Sequence, residues 1–129
     1  MKTAVITGGT RGIGAALVRA FLKEGWNVAW SGTSPSTVEK SLGLLSDSFP
    51  AERQAAFLCD VTAEADLAGL WEGAVKAYGS VDILVNNAGI SSDQTPFNEL
   101  ETAVFTRIID TNVKGLMLAT HLAYNRMLK

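Results

Sequence analysis

The residues most able to do chemistry stand at the start of the chain. Thr7-Gly8-Gly9-Thr10-Arg11-Gly12-Ile13-Gly14 follows an apolar run, Ala4-Val5-Ile6, and leads into an amphipathic helical pattern. A strand, a glycine turn and a helix N-terminus together bind phosphate anions. The unpaired N–H groups of the first helical turn and the positive end of the helix dipole face the ligand. Each glycine has an expected role. Gly8 turns the chain sharply after the strand. Gly12 lets backbone N–H groups approach a pyrophosphate, and Gly14 lets the helix pack closely on the sheet. The spacing is Gly-x-x-x-Gly-x-Gly. That differs from the commoner Gly-x-Gly-x-x-Gly, and it lacks the Gly-Lys-[Ser/Thr] of an ATP-type loop. A glycine-rich turn with no ligand is the competing reading, so the other strand ends matter.

Three further stretches carry chemistry. Gly32-Thr33-Ser34 ends a second apolar run, Asp60-Val61 ends a third, and Asn86-Asn87-Ala88-Gly89 ends a fourth. In an open parallel sheet, ligands bind beyond the carboxyl ends of the strands, so all four stretches would line one cleft. An NAD site wants an acidic side chain after the second strand to take the ribose hydroxyls. No Asp or Glu occurs from Gly25 to Val38, whereas Ser31, Thr33 and Ser34 offer hydroxyls. Arg11 is either a partner for a 2′-phosphate or a solvated surface arginine. A fixed planar cation beside small hydroxyls suits a phosphate, so NADP is expected over NAD. Asp60 can accept an adenine amino hydrogen or satisfy loop N–H groups. Asn86 and Asn87 can tie loops together, and Ala88-Gly89 leave room for a ligand on the backbone. His121, the only histidine, has no acidic or cysteine partner at helical spacing and reads as packed or surface-exposed. Cys59 reads as a small core residue. No cluster of His, Cys, Asp or Glu has metal-ligand spacing, so no metal is expected.

The elements that must position these residues alternate. Thr3 to Thr7 is a strand, and Ile13 to Glu24 a helix with Ile13, Leu17, Val18 and Phe21 on its apolar face and Gly25 as its stop. Asn27 to Ser31 is a second strand. Ser34 is the expected N-cap, with Pro35 at the first position, of a helix marked by Val38, Leu42, Leu45 and Phe49 and ended by Pro50. Gln54 to Cys59 is a third strand. Thr62 is the expected cap of a helix with Leu67, Leu70, Trp71, Ala74, Val75 and Tyr78 on one face, stopped by Gly79. Val81 to Val85 is a fourth strand, apolar enough for burial on both faces. A polar loop runs to about Glu99, and the remainder to Lys129 is helical in pattern, with Gly115 a kink or close-packing point. This order predicts one domain over residues 1–129, a right-handedly wound parallel sheet with helices on both faces.

Composition narrows the class. The 129 residues carry a net charge of −2 and are 47% hydrophobic, with a pI near 5.3 and a mean hydropathy of +0.18. The absence of a basic patch argues against a nucleic-acid partner. The apolar stretches are too broken for a membrane span. Met1-Lys2-Thr3 runs straight into the first strand, so no signal peptide is expected. A single cysteine suits a reducing cytoplasm.

Together these motifs resemble the short-chain dehydrogenase/reductase family, most of all its beta-ketoacyl-carrier-protein reductase type. Thr7 to Gly14 is similar to the family's cofactor motif, Asp60-Val61 to its adenine-contacting pair and Asn86 to Gly89 to the motif after its fourth strand. Asn112, in Asp110-Thr111-Asn112-Val113-Lys114-Gly115, is similar to the asparagine of its catalytic tetrad. The resemblance implies a Rossmann-like three-layer α/β/α fold with strand order 3-2-1-4, a cofactor site at Gly8, Thr10, Arg11, Gly12, Ile13, Gly14, Thr33, Ser34, Asp60, Val61, Asn86, Asn87, Ala88 and Gly89, and carbonyl/alcohol hydride transfer. It covers the family's N-terminal half. The family's catalytic Ser and Tyr-x-x-x-Lys lie beyond this point, and Tyr124 and Lys129 lack that spacing. The chain alone is therefore expected to show little turnover. The fourth strand, central in the family, is expected to form an edge here and to pair with another chain, directly or through the last helix. The alternative is a non-catalytic nucleotide-binding or assembly module using that edge.

Overall fold

The computed structural model describes residues 1–129. Its elements are β1 (Thr3–Ile6), α1 (Gly12–Lys23), β2 (Asn27–Gly32), α2 (Pro35–Leu45), β3 (Gln54–Leu58), α3 (Glu64–Tyr78), β4 (Ile83–Val85), α4 (Thr102–Ile109) and α5 (Leu116–Met127). Short 3-10 turns occupy Ala51–Arg53 and Phe97–Glu99, and a π-helical turn, Asp110–Gly115, joins α4 to α5. The four strands are parallel in the order β3-β2-β1-β4. Val5 sits beside Ala29 and Leu84, and Ile6 beside Trp30 and Val85. The architecture is thus the expected Rossmann-like one.

Side chains alternate across the pleat, which divides the core in two. Val5, Ala29 and Cys59 face α3 and α5, meeting Leu67, Leu70, Ala74 and Ala119. Ile6, Val28 and Trp30 face α1 and α2, meeting Val18, Leu22 and Leu45. Trp30 is fully buried, and its indole N–H donates to Ser41 Oγ at 2.9 Å, so its one polar atom is satisfied. Ser41 Oγ in turn donates to the Val38 carbonyl at 2.7 Å. No helix is long and apolar enough to cross a membrane.

Most local signals act where expected. Gly25 and Gly79 stop α1 and α3 with φ of +84° and +85°. Ser34 caps α2 by accepting from the Thr37 N–H at 3.3 Å, with Pro35 in the first turn.

Five details depart from the sequence reading. Ile13 is 75% exposed, because the first turn of α1 projects beyond the sheet; Leu22 takes the core position instead. The α2 helix ends at Leu45, and a turn carries Phe49 back to the core. Thr62 caps nothing: its N–H and hydroxyl both donate to Asp60 Oδ1, at 2.9 and 2.7 Å, and Ala63 becomes the α3 N-cap without a side-chain bond. β4 has only three residues. It is not buried on both faces, because an edge strand has a neighbour on one side only, and Ile83 is 37% exposed. The C-terminal helical run is interrupted by the π turn. Gly115 is a close-packing point: a Cβ there would lie 2.6 Å from Val61 Cγ2.

Candidate functional site

A cleft of about 460 Å³ opens at the carboxyl ends of the strands. Its floor is the turn between β1 and α1. Gly8 adopts φ of +68° and Gly12 φ of +57°, in the left-handed region that favours glycine. A Cβ at Gly12 would meet nothing within 4 Å, so its surface faces open space. The first turn of α1 has no side-chain cap and no acidic residue, which leaves its N–H groups and dipole free for an anion. Gly14 is pressed against the Gly8 carbonyl and the Asn87 amide. Its missing side chain thus lets the helix approach the turn and the β4 loop as well as the sheet.

Thr7 is the hub that joins this turn to the loop after β4. Its Oγ1 accepts the N–H groups of Asn87 and Ala88, both at 3.1 Å. Asn87 Nδ2 reaches back to donate to the Thr7 and Gly8 carbonyls at 3.1 and 2.9 Å. The third link runs to β2. Gly8 N–H donates to Ser31 Oγ at 3.2 Å, and Gly9 N–H donates to the Ser31 carbonyl at 2.9 Å. These groups are partly buried, so each pairing spares a desolvated polar atom. The glycine turn is therefore held from two sides by residues about eighty and twenty positions away in sequence.

The cleft brings together most of the sequence-predicted residues. Gly8, Thr10, Arg11, Gly12, Ile13 and Gly14 line it from the turn, Thr33 from β2, Asp60 and Val61 from β3, and Asn87, Ala88 and Gly89 from β4. Arg11 is exposed, on extended backbone at the N-cap of α1. Asp60 takes the loop-satisfying role through Oδ1, and its own N–H donates to Asp66 Oδ2 at 2.9 Å.

Three predicted residues stand outside the lining. Ser34 is committed to the α2 cap. Asn86 Nδ2 donates to Thr120 Oγ1 on α5 at 2.9 Å. Asn112, in the π turn, is spent on the backbone of one residue: its Oδ1 accepts the Ile90 N–H and its Nδ2 donates to the Ile90 carbonyl, each at 2.8 Å. Asn112 thereby fixes Gly89-Ile90, which does line the cleft.

Sequence reasoning gave Thr7 and Gly32 only as members of their stretches and assigned no site role to Ile90 or Thr111. Only Thr7 carried a local signal, a hydroxyl at the point where an apolar strand meets a glycine turn.

Cys59 lies under the cleft, 1% exposed. Burial, with the charges of Asp66 and Asp60 beside it, pushes its thiol up to about 12. It is a protonated core residue, not a nucleophile. His121 is exposed and pairs with Asn125 at 3.2 Å. No group of three His, Cys, Asp or Glu residues is placed to hold a metal ion.

Comparison with known proteins agrees with this geometry. The sequence model of the short chain dehydrogenase family matches residues 2–129. The farnesol dehydrogenase of Aedes aegypti is 36% identical, over 99% of this chain and 52% of its own length. Glucose 1-dehydrogenase 2 of Bacillus subtilis is 32% identical, over 99% of this chain and 49% of its own. The crystal structure of a 3-ketoacyl-(acyl-carrier-protein) reductase from Brucella melitensis, complexed with NADH, superposes with a TM-score of 0.87 at 32% identity. It covers 97% of this chain and 49% of that one. The chain therefore spans about half the length of these relatives.

Proposed function

The chain belongs to the short chain dehydrogenase family, and on that premise we propose that it is the dinucleotide-binding half of an oxidoreductase and that it prefers NADP(H). One observation carries the reading. The free N-terminus of α1, the open face of Gly12, the Arg11 guanidinium and the Thr33 hydroxyl border a single cleft that has no acidic side chain at the end of β2. The residues fit the group. The α1 N–H groups and Gly12 would hold the pyrophosphate. Arg11 and Thr33 would hold the 2′-phosphate, and Asp60-Val61 would border the adenine. Likeness to an NADH complex does not choose the nucleotide; the argument for NADP rests on Arg11, Thr33 and the missing acid.

When bound, the cofactor supplies hydride transfer between a carbonyl and an alcohol. This chain's residues orient it. Asn112 acts as a positioning residue through Ile90, and Asn87 through Gly8. Delivery of the accompanying proton needs a general acid. By resemblance that group is the Tyr of Tyr-x-x-x-Lys, which residues 1–129 do not contain, so turnover requires a partner segment. The unpaired cysteine fits a cytoplasmic setting.

A second reading is favoured by β4. Its outer edge is unpaired and Ile83 is exposed, a template for strand pairing. In that reading the chain assembles with a second copy or another chain through β4 or α5, and catalysis is not its role. Calorimetric titration with NADPH and NADH tests the first reading: saturable binding favouring NADPH is expected, and tighter NADH binding defeats the preference. Light scattering across a concentration series tests the second, which a monomer throughout would defeat.

A further inference from the structure

Gly32 ends β2 with an ordinary negative φ, so its backbone does not call for glycine. Space does. A Cβ at position 32 would overlap the Thr10 Cγ2 methyl and lie 3.1 Å from Val38 Cγ2 and 3.4 Å from Thr37 Oγ1. The strand cannot back away. The Cys59 N–H donates to the Gly32 carbonyl and the Gly9 N–H to the Ser31 carbonyl, both at 2.9 Å. The turn cannot rise freely either, because the Gly8 N–H is also tied to β2 through Ser31 Oγ at 3.2 Å. Thr10 and Gly32 are interlocked between two backbone clamps.

Position 32 matters chemically. In dinucleotide sites an acidic side chain about twenty residues after the glycine turn takes the ribose hydroxyls, and Gly32 stands at that distance from Gly12. We propose that Thr10 determines nucleotide choice indirectly: its methyl group holds position 32 to glycine, no acid can stand there, and the ribose end of the cleft is left to Arg11 and Thr33. The proposal rests on the NADP reading but locates the choice in a packing contact instead of a phosphate ligand. Thr10 is thus a specificity-determining residue that acts through its neighbour.

The test uses the full chain and two readouts. In thermal melting, G32A should lower the midpoint by about 5 °C through overpacking. T10A/G32A should recover most of that loss, since the alanine at position 10 lacks the methyl group in conflict. In nucleotide titration, G32D alone should bind NADH no better than the parent, whereas T10A/G32D should gain about tenfold, the size of one charge-assisted hydrogen bond. A G32A melt matching the parent overturns the interlock. An NADH gain in G32D equal to that of the double variant, or no gain in the double variant, overturns the role in specificity. Binding of neither nucleotide by any variant does so as well. A parent that prefers NADH defeats the NADP reading on its own evidence and leaves the melting cycle standing.

Discussion

Replacing Asn87 probes the clamp under the glycine turn more directly than any other change. Its Nδ2 donates to the Thr7 and Gly8 carbonyls at 3.1 and 2.9 Å, in partly buried surroundings. Asn87→Ala deletes both bonds and keeps the two backbone bonds to Thr7 Oγ1. At about 0.5–1.5 kcal/mol net per bond, the loss is ~1–3 kcal/mol. That is a sizeable part of the roughly 5–15 kcal/mol expected for a whole domain. Asn87→Asp is nearly the same shape but points carboxylate oxygens at two carbonyl oxygens. It should cost at least ~1 kcal/mol more than alanine at neutral pH. Below the aspartate pKa the new carboxyl can donate one hydrogen bond, so the gap between the two variants should close as pH falls. Urea unfolding reads this as a shift in midpoint at unchanged slope. An alanine variant with the parent's midpoint, or an aspartate variant more stable than alanine at pH 7, would refute the clamp.

Three other outcomes follow from the geometry. Arg11→Ala should weaken NADPH binding by about ten- to a hundredfold, the worth of charge-assisted bonds to a phosphate, while NADH binding stays near that of the parent; parallel titrations decide. Asn112→Ala should release both the N–H and the carbonyl of Ile90 at a cost of about 1–3 kcal/mol, seen as faster amide hydrogen exchange at Ile90 with little change in β1. Stability should fall in alkali. Cys59 and Tyr78 are each raised to about 12 by burial, from 9.0 and 10.0. The folded chain therefore keeps protons that the unfolded chain releases between those values. Their stabilisation is complete below pH 9 and is lost toward pH 12 at up to about 1.4 kcal/mol per pH unit for each group. A Cys59→Ala variant should show a shallower decline from pH 9 in the unfolding free energy.

What the sequence revealed was chemistry confined to a few neighbouring residues. Gly25 and Gly79 stop helices through their own φ, and Ser34-Pro35 caps α2 within one turn. Such features need no distant partner. The alternation of elements indicated a parallel sheet covered by helices, while the strand order came from the family resemblance. What stayed hidden depended on tertiary partners. Periodicity puts Ile13 on the apolar face of α1, yet the sheet ends before it and leaves it over the cleft. Thr62 has cap chemistry, but Asp60 two residues earlier takes both its donors. The π turn has no composition signal. It is a matter of register, set by Gly115 against Val61 at one end and Asn112 against Ile90 within it. Thr7 was visible as part of a motif, but its role required the loop after β4 to be placed beside it.

The contacts that build the cleft are unevenly distributed, and this decides what a half-length chain can bind. The end proposed for adenine and phosphate draws on Gly8 to Gly14 and Thr33, which follow the interior strands β1 and β2 and whose turn is locked by Thr7, Ser31 and Asn87, and on Asp60 and Val61 after β3, where Asp60 is tied to Thr62 and Asp66. The other end is bordered by Gly89, Ile90 and Thr111. It leans on the exposed edge strand β4 and on a π turn whose tie to Ile90 is a single side chain. Binding energy should therefore come mainly from the adenosine half of the nucleotide. Adenosine 2′,5′-bisphosphate should bind this chain within about tenfold of NADPH, a difference of about 1.4 kcal/mol, whereas nicotinamide mononucleotide should show no saturable binding. Calorimetry with the two fragments is decisive. If the nicotinamide fragment binds as well as the adenosine one, the open end is as well built as the closed one, and the asymmetry read from these hydrogen bonds is wrong.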